Sequence, residues 1–500
     1  MKISDLPIKG NIHTDEAALK RLSRDASSYR IKPHLIAEPG NEEDVLKVLE
    51  YTQKKGGNIT CRSGGSGLSG AAVGTDIILN FKPLMNKMRR RGEEMVAEPG
   101  AVLKDFLQKV NNQGLMLPAV PSSSAWCALG GNIGTRSTGP RTARYGTIDF
   151  FVSSLRFITA GGEIVDTREK LPDFFENGLL KIRDRFLADQ KSRQLFEQRP
   201  FIAGGYNIQA FSQYEDPKEL TTHLLVGSIG TLAIVTEIRL KLIPFRPSLG
   251  TYVAFFRSLD ELGSAIKKIS DLCPSAMEFV DATTLSHIQG RILNASDASI
   301  TGALLVEFDE SSEQAERGRA VLESFDLSRL RTIPVGSKDE ADLWGERRRI
   351  LPSLWGHARK KNWILPSIID DVAIHLNSFP SVFRDLRQLM ADLGHEIAIF
   401  GHIGFGSLHA RPFFEPQRGD LVEQIMTVSR ETFQLLQKYG GTLVGEHNAG
   451  RSRSAYLEME LGKAFGYLRD LKQLFDPDDV LNPNTLFDLD PITSHMDLSR

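Results

Sequence analysis

Two stretches of this chain are so crowded with glycine and serine that neither can contribute an apolar core. The first, Arg62-Ser63-Gly64-Gly65-Ser66-Gly67-Leu68-Ser69-Gly70, places four glycines and three serines in nine positions. Glycine lets backbone approach an anion closely, and successive N–H groups can form a nest around a pyrophosphate. Arg62 can add charge. No helix of the right pattern opens on this loop, so it is not the GxGxxG turn of a dinucleotide-binding βαβ unit. Alone, it fits a generic tight loop equally well. A second stretch alters that balance. Pro121-Ser122-Ser123-Ser124 precedes Gly130-Gly131-Asn132-Ile133-Gly134-Thr135, followed by Ser137-Thr138-Gly139 and Arg144-Tyr145-Gly146. It reads as a long polar loop whose many donors suit a large polar ligand, with an irregular surface loop as the alternative.

Around these loops the chain alternates helix and strand patterns. A helix is expected over Glu42 to Lys54, strands over Asn58 to Arg62 and Asp76 to Phe81, and a helix over Val102 to Asn112 stopped by Gly114. Strands follow at Phe151 to Ile158, Glu163 to Asp166 and Leu232 to Leu242, with a helical region over 168–200 between them. A new strand–helix–strand–helix order starts near Leu249, and helix returns from about Gly419. Five hundred residues exceed one ordinary core. The expected division is 1–245, a cap over 246–425, and a helical segment 426–500 that packs back on the first unit.

Bulk properties remove several function classes. A formal net charge of -2 gives no electrostatic case for nucleic acid. Cys61, Cys127 and Cys273 are too few and too far apart for an iron–sulfur cluster or a zinc ribbon. Sparse cysteines fit a reducing cytosol, and Met1 to Lys20 lacks the apolar core of a signal peptide. No apolar run approaches the ~18 residues of a membrane span. A cytoplasmic protein, peripheral to the membrane at most, is therefore expected.

A second concentration of chemistry lies near the C-terminus. Phe400-Gly401-His402-Ile403-Gly404-Phe405-Gly406-Ser407-Leu408-His409 carries two histidines among glycines, and Gly445-Glu446-His447-Asn448-Ala449-Gly450 sets a carboxylate beside a third. Two histidines and a carboxylate are a common divalent-metal set that leaves positions open for substrate. Singly, each histidine could be a hydrogen-bonded structural residue. Clustering in glycine loops argues otherwise.

In order and spacing the two loops resemble the FAD-binding domain of the vanillyl-alcohol oxidase and p-cresol methylhydroxylase superfamily. Ile202-Ala203-Gly204-Gly205-Tyr206-Asn207 and Val226-Gly227-Ser228-Ile229-Gly230-Thr231-Leu232 extend the likeness. The branch most similar is that of D-lactate, glycolate and D-2-hydroxyglutarate dehydrogenases, over roughly residues 25–488. The resemblance implies an α+β fold: a two-subdomain FAD-binding domain, an α+β substrate cap, and a C-terminal helical segment returning to the flavin domain. It implies flavin contacts from Arg62, Ser63, Gly64, Gly65, Ser66, Gly67, Leu68 and Ser69 in the first loop. From the second come Pro121, Ser122, Gly130, Gly131, Asn132, Gly134, Thr135, Thr138, Gly139, Arg144, Tyr145 and Gly146, with Gly230, Ile234 and Asn482 further on. Ser66 stands where some members carry a flavin-linking histidine, which implies FAD held without a covalent bond at this loop.

The same likeness makes His402, His409 and Glu446 the implied ligands of a divalent metal such as zinc, and His447 the implied general base. The branch usually reads Gly-His-x-Gly-Asp-Gly-Asn-x-His and Gly-Glu-His-Gly. Here Phe405 replaces the usual aspartate, Ser407 the asparagine and Asn448 the last glycine. Arg347, in Trp344-Gly345-Glu346-Arg347, matches the branch's substrate-carboxylate arginine. A helix-surface role is the plain alternative, and Arg348 and Arg349 are expected on other helix faces. The implied activity is FAD-dependent dehydrogenation of a D-2-hydroxy acid of the lactate, glycolate or 2-hydroxyglutarate class. An O2-using oxidase or a non-catalytic FAD-binding subunit are the alternatives. Implied partners are the hydroxy acid and a separate electron acceptor (quinone, cytochrome, flavoprotein or iron–sulfur subunit). A homo-oligomer is compatible with the chain, nucleic acid is not, and no membrane-spanning segment is expected.

Overall fold

The computed structural model describes residues 6–201, 204–288, 290–294, 297–487 and 489–499; Ile202 and Ala203 of the expected flavin motif lie outside them. Three principal sheets organise the chain. The first is a four-stranded sheet in the order Asn11–His13, Leu35–Glu38, Ile77–Asn80, Ile59–Arg62, its last three strands parallel. The helix Glu42–Lys55 covers it. Its ends follow from local chemistry. The Asn41 side chain accepts from the Asp44 N–H, three acidic residues line the first turn, and Gly56 closes the helix at φ 67°. Parallel strands Ile59–Arg62 and Ile77–Asn80 leave their C-terminal ends together, and Ser63 to Gly70 emerges there.

The second sheet is antiparallel, in the order Met88–Arg91, Glu94–Ala97, Ile234–Lys241, Val152–Ile158, Ile164–Asp166. Its core side is packed by Leu103–Asn111, Asp173–Ala188 and Gly466–Phe475. The second glycine stretch differs from its expectation as a loop, for Leu129–Thr135 is a short helix. Its intrinsic propensity is poor, with three glycines in seven residues. Tertiary hydrogen bonds hold it instead, from Leu129 N–H to the Ala101 carbonyl at 2.9 Å and from Gly130 N–H to the Pro99 carbonyl at 2.8 Å.

The third sheet has seven antiparallel strands, from Leu327–Ile333 through Gly250–Phe256, Gly302–Phe308, Ala276–Asp281, Ile397–Gly401 and Ser407–Pro412 to Val372–Ala373. Helices cover both faces, so its central strands are buried along their whole length. Tyr252, Ala254, Met277 and Phe279 face one helical layer, which includes Leu259–Ser270 and Phe379–Asp392. Val253, Phe255 and Val280 face the other, formed by Ala282–His287, Lys338–Arg348 and Ile350–Lys360. The helix Leu421–Lys438 also packs on this sheet, through Ile425, Val428, Phe433 and Leu436. The chain therefore crosses back later than residue 425, at the loop before Gly450–Leu461. The tail then reaches the first sheet: Ile59 N–H donates to the Val480 carbonyl at 2.8 Å and Asn482 N–H to the Ile59 carbonyl at 2.7 Å.

Candidate functional site

One continuous cavity joins the two glycine stretches to the histidine cluster. Its floor is Ser63 to Ser69, its second wall Gly130 to Thr135 with Pro121 and Ser122, and Gly230 closes the side. Glycine is required where these walls meet. A Cβ on Gly64 would come within 2.7 Å of the Cys127 Cα, and one on Gly130 within 2.6 Å of Ser63 Oγ. Gly65 adopts φ +62°, a left-handed conformation that only glycine takes without strain. Ser69 Oγ, Asn132 Oδ1 and Ser137 Oγ border the cavity, yet each is buried without a hydrogen-bond partner among the described residues. Such atoms call for a polar ligand.

The same cavity is lined by His402, His409, Glu446, His447 and Arg347. His402 follows the strand Ile397–Gly401, and His409 lies on its hairpin partner Ser407–Pro412. The imidazole Nε2 atoms of His402, His409 and His447 lie 3.7, 3.3 and 3.5 Å from Glu446 Oε1. The second carboxylate oxygen of Glu446 accepts from the Thr138 hydroxyl at 2.6 Å, tying the cluster to the second glycine stretch.

Two family models match this chain, an FAD binding domain over residues 33–168 and the C-terminal domain of FAD linked oxidases over residues 248–486. The chain belongs to the FAD-linked oxidases. It is 28% identical to the glycolate oxidase subunit GlcD of Bacillus subtilis, over 96% of this chain and 95% of that one. It is 25% identical to the D-2-hydroxyglutarate dehydrogenase of Xanthomonas citri, over 95% and 94% of the two chains. The fold is shared with the solved 4-ethylphenol oxidase of Gulosibacter chungangensis, with a TM-score of 0.66 and 15% identity over 95% of this chain and 94% of that one. The family, the FAD cofactor and the α+β fold expected from the glycine loops are those the comparisons return. No described helix is long and apolar enough to cross a membrane.

In this FAD-linked oxidase seven residues expected at the flavin lie off the cavity. Arg62 is turned inward, donating to the carbonyls of Arg24 at 2.7 Å and Ala72 at 3.0 Å, so it braces the loop instead of charging it. Arg144 and Tyr145 reach the cap, to Glu310 at 2.8 Å and Asp309 at 2.7 Å. Gly139 and Gly146 serve backbone geometry: a Cβ on Gly139 would meet the Val120 carbonyl at 2.2 Å, and Gly146 ends a helical turn at φ +81°. Ile234 is core. Asn482 supports from behind, its amide donating to the carbonyls of Ala71 at 2.9 Å and Ile229 at 2.8 Å. It holds Ile229 at φ 47°, a strained value for a β-branched residue.

The donor set at Glu446 also fits a divalent metal. His402 Nδ1 lies 2.5 Å from Glu278 Oε1, and His409 Nδ1 lies 3.2 Å from the Asp370 carbonyl oxygen. Each ring is therefore oriented by its far nitrogen, leaving Nε2 toward Glu446, the arrangement that second-shell partners impose on metal-binding histidines. Burial drives His409 well below the usual histidine range, with His447 and His402 adding to it, so the ring is in its neutral, ligating form. Burial would lower His402 too, but Glu278 and Glu446 outweigh it and raise the ring.

The departures from the branch pattern have physical roles. Phe405 stacks on His402 with ring centroids 5.4 Å apart. Ser407 is fully buried in the hairpin. Asn448, at φ 64°, takes the glycine conformation that asparagine tolerates best. Its side chain accepts from Gly205 N–H at 3.0 Å and donates to the Gly227 carbonyl at 2.7 Å.

Glu278 was not foreseen. Its strand, Ala276–Asp281, points it at the helix Lys338–Arg348, where its Oε2 lies 2.5 Å from the Arg347 guanidinium. One buried carboxylate thus holds both Arg347 and His402, and Arg347 first, then His402, keeps its pKa low against burial. Asp370 and Asp371 were missed as well. Asp370 pairs with Arg411 at 2.8 Å and Arg453 at 2.9 Å, and Asp371 accepts from the His447 N–H at 3.0 Å. Carboxylates inside apolar runs, in Ala276-Met277-Glu278-Phe279 and Ile368-Ile369-Asp370-Asp371-Val372, were the available signal. Arg348, expected on another face, lines the cavity beside Arg347 and has no ion pair among the described residues.

Proposed function

We propose that this FAD-linked oxidoreductase converts a D-2-hydroxy acid to the 2-oxo acid, with His447 as the general base. The carrying observation is that His447, the His402–His409–Glu446 set and Arg347 open into the same cavity as the flavin cradle. Bound FAD supplies the hydride acceptor for the hydrogen on C2. The hydroxyl proton must leave as that hydride goes, which calls for a base within hydrogen-bond reach. Burial, then the charges of Arg453 and Arg411, hold His447 well below the usual histidine range, so it is neutral and free to accept. Its Nδ1 faces Asp371 at 3.4 Å, which directs Nε2 to the cavity. His402, His409 and Glu446 would hold a divalent metal, which would acidify and orient the hydroxyl. Arg347 receives the substrate carboxylate from within its pair with Glu278, and Arg348 stands beside it at the cavity lining. Phe400 and Trp355 add apolar surface to the lining of the same cavity.

Names of relatives support the substrate class: one is a glycolate oxidase subunit, another a D-2-hydroxyglutarate dehydrogenase. Electrons then pass to a separate acceptor, since the cysteines Cys61, Cys127 and Cys273 are free and dispersed. The test is anaerobic bleaching of the flavin spectrum by a panel of D- and L-2-hydroxy acids, with and without a chelator. Bleaching by D-acids that is lost on chelation is expected. Bleaching unaffected by complete metal removal would refute the metal role, and rapid peroxide formation in air would make the protein an oxidase.

A further inference from the structure

Outside the active cavity a second group of two histidines and a carboxylate converges from three separate elements. His287 ends the helix Ala282–His287, His357 lies on Ile350–Lys360, and Glu396 precedes the strand Ile397–Gly401. A ring nitrogen of each histidine and a carboxylate oxygen of Glu396 all lie within 4.8 Å of one another. His287 Nε2 and Glu396 Oε1 are 2.9 Å apart. The imidazoles lie 3.8 Å apart between centroids, tilted by 31°, and Phe413 and Trp363 wall the group at 5.5 and 6.1 Å from His357. A hydrogen-bonded His287–Glu396 pair would account for two of the three residues. It leaves His357, whose Nε2 is buried with no hydrogen-bond partner among the described residues. Burying a polar nitrogen unpaired is costly, so its presence here asks for a ligand.

We propose that His287, His357 and Glu396 form a second, non-catalytic site for a borderline divalent cation of the zinc type. Two imidazoles and one carboxylate match zinc's preference and are too nitrogen-rich for magnesium or calcium. The Glu396 side chain is 35% exposed, so solvent water completes the coordination. The position gives the cation a structural task. Ile350–Lys360 carries Leu351, Pro352 and Trp355 of the cavity wall, while the strand after Glu396 leads directly into His402. A cation here clamps the wall of the active cavity to the strand that delivers its first histidine.

The site is tested on the full-length FAD-loaded protein, stripped of metal, re-supplied with Zn2+ alone, desalted and analysed for zinc per flavin. His357→Gln is expected to hold one zinc fewer than the parent, whether or not the first cluster is loaded. His409→Ala, which breaks the first cluster, is expected to retain one zinc, and the double variant none. Zn2+ is expected to raise the Tm of His409→Ala and leave that of the double variant unmoved. Glu396→Gln, with the flavin spectrum confirming its fold, is expected to bind zinc at least about tenfold more weakly at this site. Equal zinc content in parent, His357→Gln and Glu396→Gln would overturn the proposal, as would a His409→Ala protein that holds no zinc.

Discussion

The flavin cradle and the histidine cluster line one cavity but are built from different materials. The cradle is made by backbone: its side chains are small, and what matters is where no Cβ stands, as at Gly64 and Gly130. The cluster is made by side chains, each fixed by a buried partner on another element, as Glu278 fixes His402 and Arg347. The cradle should therefore fail through crowding and strain, and the cluster through loss of charge or proton acceptor. Substitutions should separate the two failures, leaving flavin bound in one case and chemistry unattempted in the other.

The sharpest contrast is expected from His447→Ala. A positioned general base contributes about 10²–10⁴-fold to rate, so turnover should fall by about 10³ while the flavin spectrum stays as in the parent. Normal turnover would remove His447 as base. Next comes Glu278→Gln, which leaves Arg347 buried without its counter-charge. Breaking a buried pair by removing one partner costs about 3–5 kcal/mol, and loosening the histidine it orients lowers metal affinity about 10–100-fold. Denaturant unfolding and zinc titration should show both losses together. Loss of stability with unchanged zinc affinity would confine Glu278 to the Arg347 pair.

These two regions also differ in how far they could be read before the structure was known. The cradle announces itself because glycine and serine concentrate in consecutive positions, and a local pattern needs no knowledge of the fold. The same holds for the helix Glu42–Lys55, whose Asn41 and Gly56 caps are written at its ends. The cluster's ligands were legible for a similar reason, since His402 and His409 are near in sequence. Their supports were not. Glu278 lies on a strand over a hundred residues earlier, and only the sheet order that sets Ala276–Asp281 beside Ile397–Gly401 brings it to His402. Arg62 shows the converse limit: sequence places it at the loop, but only packing shows the guanidinium turned inward to carbonyls. Leu129–Thr135 marks another, because its glycines hide a helix held in place by tertiary hydrogen bonds and the burial of Leu129 and Ile133.

Within the cradle the expected effects are smaller and graded by backbone geometry. Gly65→Ala forces a left-handed φ on alanine and drives its Cβ to 2.3 Å from the Arg62 guanidinium. A left-handed residue with a Cβ costs about 1–2 kcal/mol, so a fall in Tm and weaker flavin retention are expected, with His447-dependent chemistry intact once flavin is saturating. Outside the cradle, in the loop that carries Glu446 and His447, Asn448→Gly should cost less. Glycine relaxes the φ of 64°, but the bonds to Gly205 and Gly227 are lost. A net intramolecular hydrogen bond contributes about 0.5–1.5 kcal/mol, and relief of the backbone offsets part of that, so unfolding should shift by no more than about 1 kcal/mol.

Gly67→Ala is the control that sharpens the comparison most. Its φ is not left-handed, and a Cβ there meets no atom within 4 Å. The stability of the flavin-free protein should be unchanged, since nothing in the polypeptide is crowded. Gly67 nevertheless lines the cavity beside Gly65. If the cradle works by close approach of backbone to the cofactor, the added methyl should lower flavin affinity alone. Paired calorimetric scans of apo- and flavin-loaded protein distinguish this, the loaded Tm falling while the apo Tm holds. Equal Tm shifts in both forms would mean that Gly67 serves the polypeptide and not the cofactor.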